Sequence, residues 1–122
     1  MFGVFLEAVA EAGAGPPDVL PPGPDVFRFS DDGEFRCLLE GQGLVDVEVR
    51  RIAFTHPVSS FGDFWSALQR GTVRMASLVL GQSEDTRERI RAALERRLAA
   101  YATDGRFDLP VSVKLAAGSK TG

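Results

Sequence analysis

Residues 44–57 read Leu44-Val45-Asp46-Val47-Glu48-Val49-Arg50-Arg51-Ile52-Ala53-Phe54-Thr55-His56-Pro57. From Leu44 to Val49 apolar and polar residues alternate, the period of a strand with one buried face. Ile52 and Phe54 continue the run on the other parity. A one-residue slip turns every later side chain over, so the pattern predicts a bulge near Arg50-Arg51. Proline donates no hydrogen bond, which predicts the strand's end by Pro57 and places it at about 44–56. A second alternating run lies near the other end of the sequence. Phe107, Leu109, Val111, Val113 and Leu115 share one parity, and Asp108, Ser112 and Lys114 the other. The sequence between the two runs is helical in pattern. The prediction is an α+β fold of two antiparallel strands, about 44–56 and 107–117, with about five helices. Two strands alone are marginal in water, so this pair needs helix cover or a neighbouring strand.

The chain has 122 residues, enough for one small domain spanning 1–122. Its net charge of −3 argues against binding nucleic acid or an anionic membrane by electrostatics. The single cysteine, Cys37, excludes an internal disulfide framework and makes the cytoplasm the expected compartment. No apolar run is long enough to span a bilayer, and no signal-peptide pattern is seen. One histidine and one cysteine, far apart in sequence, do not make a metal site.

Working outward, residues 1–13 predict a helix. Phe2, Phe5, Leu6 and Val9 recur at helical spacing, and Gly13 stops it. It is either a core helix or one laid over a ligand site. Residues 14–25 hold five prolines and predict a surface loop. Val26 to Phe29 reads as a short extended stretch. Ser30 then caps a helix with the inner stripe Phe35, Leu38 and Leu39, beside which Cys37 packs as a small apolar residue. These elements and the first strand occupy 26–57.

Residues 58–104 predict a helical insert. Ser60 and Asp63 open its first helix in a capping-box-like arrangement. Phe61, Phe64 and Trp65 give that helix a dense aromatic face, which is either core or the wall of a small-molecule pocket. Thr72 caps a helix carrying Val73, Met75, Val79 and Leu80. Ser83 caps another with Ile90, Ala93, Leu94 and Leu98 inward and Arg87, Glu88, Arg91, Glu95 and Arg96 outward. Thr103-Asp104-Gly105 signals a turn before the final strand, placed with that turn at 105–117. Residues 118–122 read as a frayed tail. Gly118-Ser119-Lys120-Thr121 lacks the glycine spacing of a phosphate loop, and no helix follows it.

No G-x-G-x-x-G, G-x-S-x-G or H-E-x-x-H occurs, and no carboxylate pair stands out for acid–base work. Catalytic, cofactor and metal residues are therefore not assigned. His56 reads as a polar strand-end residue or as a ligand contact.

Phe29-Ser30-Asp31-Asp32 opening a helix, followed by Leu38-Leu39-Glu40-Gly41-Gln42-Gly43-Leu44-Val45-Asp46-Val47-Glu48-Val49, resembles the C-terminal half of class I S-adenosylmethionine-dependent methyltransferases. Phe61-Gly62-Asp63-Phe64-Trp65 with Gly71-Thr72 is similar to the helical insert of their small-molecule branch, and Leu109-Pro110-Val111 to their final strand. The resemblance covers nearly the whole chain. Two family features are missing from it, the glycine-rich turn after the first strand and the acidic residue that holds the ribose. The resemblance implies a substrate-side cap, inactive alone, with Phe2, Phe5, Phe61, Phe64, Trp65 and His56 as pocket candidates. S-adenosylmethionine is the cofactor implied for the complete family member. The implied partners are a separate N-terminal methyltransferase half, or a second copy of this chain paired through the open edge of strand 107–117. The alternative function is a non-catalytic dimeric binding or assembly module built on the same scaffold.

Overall fold

Four helices begin where a short polar side chain takes over an orphan backbone N–H. Asp31 accepts from the Glu34 amide at 2.9 Å, Ser60 from Asp63 at 3.1 Å, Thr72 from Met75 at 3.3 Å and Ser83 from Thr86 at 3.2 Å. The computed structural model describes residues 2–15, 23–25 and 27–121. In chain order they form α1 (Phe2–Glu11), α2 (Asp32–Glu40), β1 (Leu44–Val58), α3 (Phe61–Gly71), α4 (Val73–Leu80), α5 (Glu84–Leu98), β2 (Ala102–Thr103) and β3 (Arg106–Lys120). The fold is α+β, with five α-helices and an antiparallel sheet in the order β1-β3-β2. None of the described helices is long and apolar enough to cross a membrane.

The third strand is an addition to the two predicted. Ala102 pairs with Phe107 and Thr103 with Arg106 around Asp104-Gly105. Both turn residues have positive φ, 44° and 80°, as a two-residue hairpin turn of the right twist requires. The predicted strand limits also move. β1 runs on through Pro57 to Val58, because at the sheet's edge a missing N–H leaves no neighbouring strand without a donor. β3 runs to Lys120, so residues 118–120 are strand and not a frayed tail. The predicted loop 14–25 lies for the most part outside the described residues, as does Val26.

By internal packing the chain divides into two compact units, residues 1–21 with 55–110 and residues 22–54 with 111–122. The first is helical. Its core gathers Phe5, Ala8 and Val9 of α1, Phe64 and Leu68 of α3, Met75 and Val79 of α4, and Ile90, Ala93, Leu94 and Leu98 of α5, together with Val58 and Leu109 from the strands. The predicted inner face of α5 is the buried one. Of the residues predicted on α4, Met75 and Val79 turn inward, whereas Val73 and Leu80 are exposed. The predicted outward Arg96 has a partner, as does Arg97. Both reach α1, where Arg96 donates to Glu11 at 2.6 Å and Arg97 to Glu7 at 2.5 Å and to Glu11 at 3.0 Å. These bonds hold the Glu11 carboxyl below its usual range, Arg96 contributing most and Arg97 next.

The second unit is a two-stranded ribbon, 44–54 with 111–120, and its helix α2. Arg28 and Phe29, predicted extended, form a 3₁₀ turn with Ser30, and Asp31 rather than Ser30 caps α2. Phe35 and Leu39 are half-buried, but Leu38 and Cys37 are exposed, so the predicted stripe is narrower and Cys37 does not pack into it. Arg36 donates to the Val47 carbonyl, and the Lys114 ammonium meets the Asp32 carboxylate and the Ser30 carbonyl. Lys114 thereby lowers the Asp32 pKa, chiefly through that hydrogen bond.

Those contacts fix which parity faces α2, and they correct two expectations. On β3 it is Lys114, not Val113 and Leu115, that turns to the covered side, leaving the two apolar residues 47% and 56% exposed. On β1 Val47 is buried, while Ile52 and Phe54 are about half exposed, at 50% and 49%. The parity change therefore needs no bulge at Arg50-Arg51 to bring Ile52 and Phe54 under cover, because they remain on the bare face. The irregular residue within β1 lies earlier, at Asp46, whose φ is 54°. Opposite it, a Cβ on Gly118 would meet Val47 Cγ2 at 3.0 Å, Leu44 Cβ at 3.1 Å and the Val45 carbonyl at 3.2 Å. Glycine at 118 lets the two backbones approach that closely.

Candidate functional site

One hollow belongs wholly to the helical unit, where the chain leaves β1 and enters α3. His56, Pro57 and Val58 end the strand, Ser59 follows, and Ser60 starts α3 with its hydroxyl. On a helix, residues 63, 64, 67 and 68 fall on one arc. Asp63, Phe64, Ala67 and Leu68 accordingly form one wall. Phe2 and Phe5, three apart on α1, form the second, and Thr72 with Met75 from the start of α4 the third. The volume of this open-mouthed cavity is about 450 Å³. That lies within the roughly 300–1,000 Å³ of small-molecule sites.

The cavity is graded from dry to wet. Phe5 is fully buried, Phe64 and Met75 nearly so, and Phe2 is 47% exposed. Asp63 and His56, both exposed, are the ionisable residues of the lining, and neither lysine nor arginine is among the lining residues. Asp63 Oδ2 accepts the Ser60 hydroxyl at 2.9 Å, which fixes the carboxylate's rotamer. Thr72 Oγ1 accepts the Met75 amide and so keeps its own proton to donate. Arg70 lies in an adjoining open hollow that shares Asp63 and Ala67, and its guanidinium donates to Ser66 Oγ.

Of the six pocket candidates, Phe2, Phe5, Phe64 and His56 meet in this cavity. Phe61 and Trp65 do not. Being four apart they stack on a different arc of α3, with ring centroids 6.3 Å apart and planes 16° from parallel. The Arg91 guanidinium sits 5.8 Å from the Phe61 centroid. Trp65, half-buried, borders a separate hollow of about 180 Å³ with Gln69, Arg87 and Glu88. One side-chain atom there, Arg87 Nε, is buried without a hydrogen-bond partner.

Sequence reasoning did not reach Ala67, Thr72 or Met75 as lining residues, and it read Asp63 only as part of a cap. The i, i+1, i+4, i+5 spacing of 63, 64, 67 and 68 was the available signal, overshadowed by the aromatic pair 61 and 65. Among the described residues, no three side chains of the histidine, cysteine and carboxylate kinds stand together as metal ligands. The chain matches no protein-family profile, and no curated protein is significantly similar to it.

Proposed function

We propose that the chain is the substrate-side part of a class I S-adenosylmethionine-dependent methyltransferase, cytoplasmic, whose task is to hold a small apolar substrate. The observation that carries this reading is the cavity itself. Aromatic and aliphatic walls from α1, α3 and α4 surround a space of ligand size, with a few polar groups at the rim. The order of elements agrees with the family pattern, since two long neighbouring strands, β1 and β3, are separated in sequence by a helical insert. In this reading the chain's own residues bind and desolvate the substrate. Phe5, Phe64 and Met75 exclude water from its apolar body. No residue of the chain is assigned to the cofactor, for want of the glycine turn and the ribose carboxylate.

The test has two arms. Calorimetric titration of the chain alone with S-adenosylmethionine is expected to give no binding, and a micromolar dissociation constant contradicts the reading. Addition of a strand–glycine-turn–helix cofactor half in trans, with tritiated S-adenosylmethionine and small apolar acceptors, is expected to restore methyl transfer that neither part shows alone.

A specific observation favours a second reading, an assembly module. β2 borders β3 in register only at Arg106 and Phe107, so among the described residues the sheet supplies no strand on that side of residues 111–120. An open edge is a template for a further strand. A second copy could pair antiparallel through residues 111–115 and extend the ribbon to four strands. Sedimentation equilibrium decides. A dimer weakened by Val113→Pro supports edge pairing, and a monomer at tens of micromolar rejects it.

A further inference from the structure

The cavity at the end of β1 also selects by charge, and we infer that it takes a small aromatic or aliphatic amine, bound apolar end first with its ammonium at Asp63. This deepens the proposed substrate-holding role and rests on it.

The inner walls, Phe5, Phe64, Leu68 and Met75, are all buried and offer no side-chain hydrogen bond to a ligand's inner end. A polar or charged group there loses its hydration without compensation, so the inner end of any ligand must be apolar. The rim differs. One carboxylate oxygen of Asp63 accepts the Ser60 hydroxyl, and the other has no hydrogen bond or ion pair among the described residues. A carboxylate is an acceptor only, and it favours a donor, above all a charged one. His56 and the Thr72 hydroxyl share the cavity with it. The nearest guanidinium by sequence, Arg70, is directed to Ser66 in the adjoining hollow.

An anionic ligand would meet like charge at the rim with no lysine or arginine in the lining to offset it. A neutral ligand would bind through its apolar body alone. A cationic one gains the Asp63 contact in addition. Phe2, half exposed at the mouth, adds a ring beside the path of the charged end. The three cases differ in sign, and they are separable by probes that share one body.

The probes are 4-phenylbutylamine, 4-phenylbutan-1-ol and 4-phenylbutyrate, titrated into the whole chain at pH 7 and monitored by calorimetry. The expected order is amine tightest, alcohol next and carboxylate weakest, with about tenfold between amine and alcohol. Asp63→Asn is expected to remove the amine's advantage and leave the alcohol's affinity within twofold, which also reports that the variant is folded. Ala67→Phe, which fills the space from an exposed helical position, is expected to abolish binding of all three. A carboxylate that binds as tightly as the amine, or an amine preference that survives Asp63→Asn, overturns the charge assignment while the cavity stands as a ligand site. Binding unchanged by Ala67→Phe, or no binding of any probe at millimolar concentration, overturns the site itself and the substrate-holding role with it.

Discussion

The helical unit and the ribbon unit are stabilised by different means. Among the described residues the helical unit buries thirteen apolar side chains in one cluster, eight of them with no more than 1% of their surface left exposed: Phe5, Ala8, Val79, Ile90, Ala93, Leu94, Leu98 and Leu109. Among its described residues the ribbon unit buries one, Val47 at 5%. What orders the ribbon is the ladder between two long strands, a capped helix and a few charged hydrogen bonds from Arg36 and Lys114. Apolar burial adds roughly 25 cal/mol for each Å² removed from water, while a hydrogen bond exchanged with water adds only about 1 kcal/mol. The helical unit is therefore expected to hold its own structure. The ribbon, with Ile52, Phe54, Val113 and Leu115 about half bare, has an unused apolar face. Native-state hydrogen exchange is the natural measure, and the slowest amides are expected in α5 and the fastest in α2.

The largest effect that would sharpen this contrast comes from the helical core. Leu94 is fully buried on α5. Leu94→Ala is expected to cost about 2–5 kcal/mol in denaturant unfolding. Val47→Ala, the matching truncation in the ribbon, is expected to cost about 2 kcal/mol at most, since two methyl groups are removed. Equal losses would erase the distinction.

Trp65 comes next. Its aromatic neighbours in sequence suggested a core position or a pocket wall, and it is half-buried and stacked on Phe61. Trp65→Ala is expected to cost about 2 kcal/mol, roughly half the figure for an enclosed large aromatic. A loss above about 4 kcal/mol would mean that the ring belongs to the core after all.

In the ribbon the sensitive position is a glycine. Gly118→Ala places a methyl at 3.0 Å from Val47 Cγ2 and 3.2 Å from the Val45 carbonyl. The strands must part locally, at about 1–2 kcal/mol, with faster amide exchange at residues 44–47. An unchanged exchange pattern would show the ribbon to be looser there than its geometry implies.

The smallest effect is that of acid. Glu11 in the helical unit and Asp32 in the ribbon both have lowered pKa values, through Arg96 with Arg97 and through Lys114 respectively. A lowered folded-state pKa contributes stability above the unfolded value, about 4, and loses it as pH falls through the folded one. Stability is thus expected to be flat from neutral pH to about 4.5 and to decline below it, more gently in Glu11→Gln and Asp32→Asn. Both carboxylates are at the surface, so the change should be slight and should shrink with added salt.

How much of this was legible beforehand follows the same division. The helical unit was readable because caps and apolar periods act locally. Ser60, Thr72 and Ser83 mark helix starts, and Ile90, Ala93, Leu94 and Leu98 mark the inner face of α5. The ribbon was misread in its details because a strand's parity does not say which face is covered. Val113 and Leu115 look like core, yet Lys114 is the residue drawn under α2 by Asp32 and Ser30, which lie more than eighty residues away in sequence. The cavity was half legible. Phe2, Phe5, Phe64 and His56 were within reach by residue type, whereas Ala67 and Thr72 line it only because of where α3 and α4 place them.

Met75 offers the most direct test of the cavity as a ligand site. It is nearly buried, lines the cavity, and is one of only two methionines in the chain. With methyl-labelled methionine, the Met75 ε-methyl resonance, assigned by Met75→Leu, can be followed while 4-phenylbutan-1-ol is added. A saturable shift of that signal, moved upfield by the ligand's ring and absent in Ala67→Phe, is the expected result. A Met75 signal that stays in place while amides of the ribbon unit respond would contradict the account.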